Sequence, residues 1–185
     1  MPSSANRALV CLVVVCLGSC MLPAVCLGGG ASPWEAGVRS GFTFFNRGKN
    51  FEPVDLFLRR DLPFDWQSPG HGVRLGMRGE GAVGLLIGDN GREGMTASLG
   101  PDLVLGLFHD RLRFHAGTHL ALLSRSDYGY RNFGGPFQFM NHLGLSLRVT
   151  DRLVVGYRFQ HMSNADIYRS NPGLNTNMLE LSLRL

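Results

Sequence analysis

The stretch Gln160-His161-Met162-Ser163-Asn164, followed by Asn171-Pro172-Gly173-Leu174-Asn175, carries residue types that suit hydrolysis. A histidine can act as general base to a serine hydroxyl, and amide groups can orient the imidazole or donate to a developing oxyanion. His161 and Ser163 lie two apart at the end of a strand-like run, Leu153 to Phe159. Side chains alternate along a strand, so the pair shares a face with Leu153, Val155, Tyr157 and Phe159. Polar groups on an apolar face need partners, because burying them unpaired is unfavourable. Two readings follow. Either the strand has ended and the pair is solvated, or His161 activates Ser163 towards whatever the apolar face touches.

The elements that must position these residues read as strands. From Trp34 onward no amphipathic helix is evident, and apolar residues recur at every second position. The first run, Trp34 to Phe45, opposes Ala36, Val38, Phe42 and Phe44 to Arg39 and Thr43. Then come Pro53 to Arg60, with Val54, Leu56 and Leu58 against Asp55 and Arg59, and Val73 to Ile87, with its apolar positions against Arg74, Arg78 and Glu80. Met95 to Phe108 sets its leucines against Ser98 and Asp102. Arg111 to Ser124 opposes Leu112, Phe114, Leu120 and Leu122 to Arg113, His115 and His119. Phe137 to Val149 opposes its apolar face to Gln138, His142 and Arg148. The run from Leu153 carries Arg158 and Gln160 on its polar face, and Asn177 to Leu185 carries Glu180 and Arg184 there. The expectation is all-β, with eight antiparallel strands.

At 185 residues the chain suits one domain behind a leader. Arg7, the apolar run Ala8 to Leu17 and the small residues after it read as a signal peptide over residues 1–31, leaving 32–185 as the barrel. A membrane anchor and a lipoprotein site at Cys20 are the alternatives. All four cysteines lie in the leader, so no disulfide framework is expected. The net charge of +4 comes from cations scattered singly, which argues against a nucleic-acid partner.

Alternation alone also fits a soluble sandwich. The leader, strands of about ten residues or more and arginines recurring on one face favour a transmembrane barrel. Eight strands enclose a lumen narrow enough for side chains to fill. Arg39, Arg59, Arg74, Arg78, Arg113, Arg158 and Arg184 are expected to pair there with Asp55, Glu80, Asp102 and Glu180. His109-Asp110-Arg111 and Thr150-Asp151-Arg152 are short connections, whereas 124–136 and 164–176 are long. Short turns are periplasmic in outer-membrane barrels, so His161 and Ser163 fall at the cell-surface end, facing outer-leaflet lipid. The long connection from Asp61 to Gly72 does not fit that scheme.

With its His161-Met162-Ser163-Asn164 element, short spacer and Asn171-Pro172-Gly173-Leu174-Asn175, the chain resembles the PagL family of lipid A 3-O-deacylases, outer-membrane serine esterases on eight-stranded barrels. The resemblance implies that His161 is the base, Ser163 the nucleophile and lipid A of lipopolysaccharide the substrate, losing its 3-O-linked hydroxyacyl chain. It also implies a multi-pass protein of the bacterial outer membrane with its site towards the outer leaflet, no cofactor, and outer-membrane lipid as its surroundings. A homodimer is left open.

One departure concerns the third member of the triad, a glutamate in the family pattern and Asn175 here. Asparagine can hold the ring but cannot neutralise imidazolium, and the comparable change in a serine protease lowers turnover about ten-thousandfold. Asp166 is the nearest alternative carboxylate. Asn164 is the expected oxyanion donor. Asn141 joins the site as the residue that register about Thr150-Asp151 sets opposite His161. Asn171, Pro172 and Gly173 read as a turn. His115 and His119 stand about 13 Å apart along one strand, too far to chelate one metal without other ligands; they read as lumenal polar groups, and no metal site is expected. Trp34, Trp66, Tyr128, Tyr130 and Phe133 are expected in interfacial belts. The rival readings are an inert structural or lipid-binding outer-membrane barrel and a soluble periplasmic barrel.

Overall fold

The computed structural model describes residues 34–43, 50–70 and 72–185; the leader proposed for residues 1–31 lies outside them, as do Phe44 and Phe45. Eight strands, β1 (Trp34–Phe42), β2 (Phe51–Gln67), β3 (Arg74–Gly88), β4 (Glu93–Leu107), β5 (Leu112–Leu123), β6 (Phe137–Arg148), β7 (Leu153–Ser163) and β8 (Leu174–Arg184), follow one another around a closed barrel. Every neighbouring pair is antiparallel, including β1 with β8. The ends of the barrel differ. One carries the connections 68–73, 108–111 and 149–152; the other carries 43–50, 89–92, 124–136 and 164–173.

Closure turns the period-two pattern into an inside and an outside. Leucines such as Leu99, Leu120, Leu143 and Leu179 are exposed around the wall, while Arg39, Arg59, Arg78, Arg158, Glu80 and Asp102 are buried within it. A charged interior inside an apolar sleeve is the distribution expected for strands that meet lipid.

The buried cations are paired as the pattern requires. Arg39 contacts Asp55, Glu80 and Glu180; Arg59 contacts Glu35, Glu80 and Glu180; Arg158 contacts Glu80 and Glu180; Arg78 contacts Asp102. Arg113 instead uses Glu35 and Asp110, and Arg74 uses Asp61, Asp65 and Asp110. Arg184 makes no ion pair among the described residues. Towards the long-loop end the lumen turns apolar, sealed by Phe51, Leu86, Leu123, Tyr128, Phe133, Met140, Met162 and Leu174.

Three expectations change. β2 continues to Gln67, past the expected end at Arg60, so the connection to β3 is only 68–73. The charges at Arg59, Arg60 and Asp61 interrupt the sequence pattern, yet pairing with β3 resumes after an irregularity between Asp61 and Asp65. β8 begins at Leu174, three residues before the expected start. Tyr128 and Phe133 are not belt residues: both are buried in the plug, packed on Phe51 with ring centroids 5.0 and 5.5 Å away.

Candidate active site

β7 alternates as the opening stretch implied: Val154, Arg158, Gln160 and Met162 point inward, and His161 and Ser163 lie half-buried on the outer wall. Two residues along a strand separate their Cβ atoms by about 7 Å. No hydrogen bond joins Ser163 to the imidazole.

The neighbouring strands supply the rest. Asn141 of β6 pairs with His161 across the ladder, and Asn175 of β8 pairs with it on the other side. Thr118 of β5 pairs with Asn141 in turn. Thr118, Asn141, His161 and Asn175 thus form one outward-facing polar row across four adjacent strands, in a wall otherwise rich in leucine. The row is bonded at both ends. Thr118 Oγ1 donates to Asn141 Oδ1 at 2.7 Å, which leaves the Asn141 amide Nδ2 unengaged among the described residues. His161 Nδ1 lies 2.7 Å from Asn175 Oδ1. With the amide oxygen facing it, Nδ1 carries the proton and Nε2 presents its lone pair, the tautomer a general base requires.

Asn164 does not stand where the expected role would need it. The parity that sends Ser163 outward sends Asn164 inward, where it is fully buried. Its side-chain amide donates to Phe133 O at 2.8 Å and Ser170 O at 2.7 Å, and its backbone N–H donates to Asn171 Oδ1 at 3.1 Å. All its donors hold the connection 164–173 in shape, against 124–136. Ser170 Oγ reinforces this by donating to Asn132 O at 2.8 Å. Asn171 therefore sits one peptide from the serine, with its Nδ2 bonded to Asp166 at 2.9 Å. That bond is also where Asp166 is engaged, and no carboxylate touches His161 among the described residues.

Gly173 closes the site from above. Its φ of +62° is in the left-handed region, and a Cβ there would lie 3.1 Å from His161 Cε1. Absence of a side chain keeps this edge of the ring, Cε1 and Nε2, uncovered by residue 173. The sequence marks Gly173 as a turn residue; its closeness to the ring arises only when β8 lies beside β7.

The arrangement is a serine, a histidine in the base tautomer and amide donors on the outside of a barrel. The crystal structure of the outer membrane enzyme PagL superposes with a TM-score of 0.70 over 82% of this chain and 99% of that one, at 21% identity, a likeness of fold. Lipid A deacylase PagL of Bordetella bronchiseptica is 35% identical over 66 residues, 36% of this chain and 37% of the relative, so the match spans little more than a third of that protein's length. Residues 52–184, which include β3 to β8, His161, Ser163 and Asn175, match the family described as Lipid A 3-O-deacylase (PagL), and the chain belongs to this family.

Proposed function

We propose that the protein is an outer-membrane serine esterase that removes the 3-O-linked hydroxyacyl chain from lipid A of lipopolysaccharide. The observation that carries this reading is the outward polar row Thr118, Asn141, His161 and Asn175, beside Ser163, on a wall whose other side chains suit hydrocarbon. A site on that wall near the long-loop end meets outer-leaflet acyl esters in the plane of the membrane, with no need to extract a lipid into water.

In the proposed reaction His161 Nε2 takes the Ser163 proton as Oγ attacks the ester carbonyl. Asn175 Oδ1 accepts a hydrogen bond from the ring Nδ1–H and keeps Nε2 towards the serine. The oxyanion takes hydrogen bonds from the free Nδ2 of Asn141 or, after release from Asp166, from Nδ2 of Asn171. Collapse breaks the ester bond, and His161 returns its proton to the departing sugar oxygen. Water then attacks the acyl-serine with His161 again as base, releasing the hydroxy fatty acid and restoring Ser163.

Asn175 in place of a carboxylate favours a second reading, an inert structural barrel. Mass spectrometry of lipid A incubated with the purified protein separates the two. Loss of one hydroxyacyl chain with wild type, absent with Ser163→Ala and His161→Ala, is the expected result. An intact substrate after incubation with folded wild type would leave the inert barrel.

A further inference from the structure

Directly behind the wall that carries Asn141, three polar side chains from three strands converge in the lumen. Asp102 of β4 pairs across the ladder with Gly117 of β5, and Gly117 pairs with His142 of β6. His119, two residues along β5, reaches the same point. Its Nε2 lies 2.9 Å from Asp102 Oδ1, and His142 Nε2 lies 3.1 Å from the same oxygen. The three ligand atoms fall within 4.8 Å of one another, and all three residues are buried.

Hydrogen bonding alone leaves this cluster poorly satisfied. His119 has a carboxylate on each side, Asp102 Oδ1 at Nε2 and Glu80 Oε1 3.8 Å from Nδ1. A neutral imidazole carries one proton, so one of its lone pairs faces a carboxylate. His142 Nδ1 and both nitrogens of the neighbouring His115, whose ring centroid is 5.8 Å from that of His142, are buried without hydrogen-bond partners.

The space is also shaped. A Cβ on Gly117 would collide with Asp102 Oδ1 and come within 2.8 Å of His142 Cε1, and one on Gly100 would collide with the His119 ring. Bare backbone at these two inward positions is what admits the carboxylate and both imidazoles.

We propose that Asp102 Oδ1, His119 Nε2 and His142 Nε2 bind one divalent transition-metal ion of the zinc class, which pins β4, β5 and β6 together. Two imidazoles and a carboxylate are a donor set that such ions accept, with a fourth position left for water. The surrounding groups suit that role. Arg78 Nη2 holds Asp102 Oδ2 at 2.9 Å, leaving Oδ1 for the metal, and Glu80 faces the Nδ1 of His119, where a ligating histidine carries its proton. In this site His119 is joined by Asp102 and His142 from the strands on either side of β5, and His115 is not a ligand.

The test measures metal content of the full chain, first as purified from membranes without chelator, then after refolding with equimolar Zn²⁺ and desalting, so that a closed barrel does not bar entry. One equivalent of metal per chain is expected in at least one preparation. His119→Gln and His142→Gln should each weaken retention more than tenfold, whereas His109→Gln, in an exposed turn, should retain the full equivalent. Co²⁺ in place of Zn²⁺ should give d–d absorption that the same two variants lose. Absence of stoichiometric metal in both wild-type preparations would overturn the proposal without reference to any variant. Equal retention by folded His119→Gln and His142→Gln, judged by heat-modifiable gel mobility, would overturn it as well.

Discussion

His161 Nδ1 and Asn175 Oδ1 lie 2.7 Å apart across the β7–β8 ladder, so an amide occupies the place from which a carboxylate would orient the proposed base. An amide can present its oxygen or, after a half-turn, its NH₂ to the ring, and only the first orientation leaves Nε2 free of a proton. It also lacks the charge that stabilises imidazolium. Asn175→Glu should therefore deacylate at least as fast as wild type, and Asn175→Ala more slowly than either. Initial rates on lipid A in detergent decide this; a folded but inactive Asn175→Glu variant would remove Asn175 from the triad.

Thr118 and Asn141 extend the same row. If the free amide of Asn141 serves the oxyanion, Asn141→Ala should lower kcat by about a hundredfold, the usual effect of losing one such donor. Thr118→Val, which removes only the hydroxyl orienting that amide, should have a smaller effect in the same direction. An unchanged kcat in Asn141→Ala, with Asn171→Ala impaired, would move the oxyanion role to Asn171.

Gly173→Ala places a methyl group against His161 Cε1 and a side chain at φ +62°. The backbone strain is about 1–3 kcal/mol, and the displaced ring should lower kcat about tenfold or more with little change in KM. Parallel rate and heat-modifiability measurements distinguish loss of activity from loss of fold.

Glu80 is met by Arg39, Arg59 and Arg158 in the lumen. Glu80→Gln removes one of the two carboxylates shared by three buried guanidiniums, and breaking buried pairs in this way destabilises by about 3–5 kcal/mol. The denaturant midpoint for loss of the compact gel form should fall accordingly. A midpoint equal to wild type would show that Glu180, with Asp55 and Glu35, balances the cluster without Glu80.

In the plug, burial pushes the Tyr128 phenol up to about 12, and its hydroxyl donates to Leu86 O at 3.1 Å. Because the neutral form is favoured in the folded state, this contribution to stability is complete below the ordinary phenol value of about 10 and is lost as pH rises through about 12. Absorbance titration should find a late-ionising tyrosine among the four in the chain, missing in Tyr128→Phe.

Much of this geometry is local and therefore legible along the chain. Alternation of side chains belongs to each strand by itself, so the outward facing of His161 and Ser163 and the inward facing of Arg158 and Glu180 follow from parity. The pairing of Asn141 with His161 follows once Thr150 and Asp151 are taken as the turn. Parity also held the correct position of Asn164, but its hydrogen bonds to Phe133 and Ser170 depend on a second connection lying over the first.

Other features needed closure. The continuation of β2 beyond Arg60 was decided by pairing with β3, because the ladder supplies partners to a backbone whose side-chain pattern has broken. Likewise, Asp102 and His142 are forty residues apart and meet only because β4, β5 and β6 take a common register around a narrow cylinder. Which face a residue takes is a property of its own strand, whereas which residues share a point inside depends on how the whole sheet wraps.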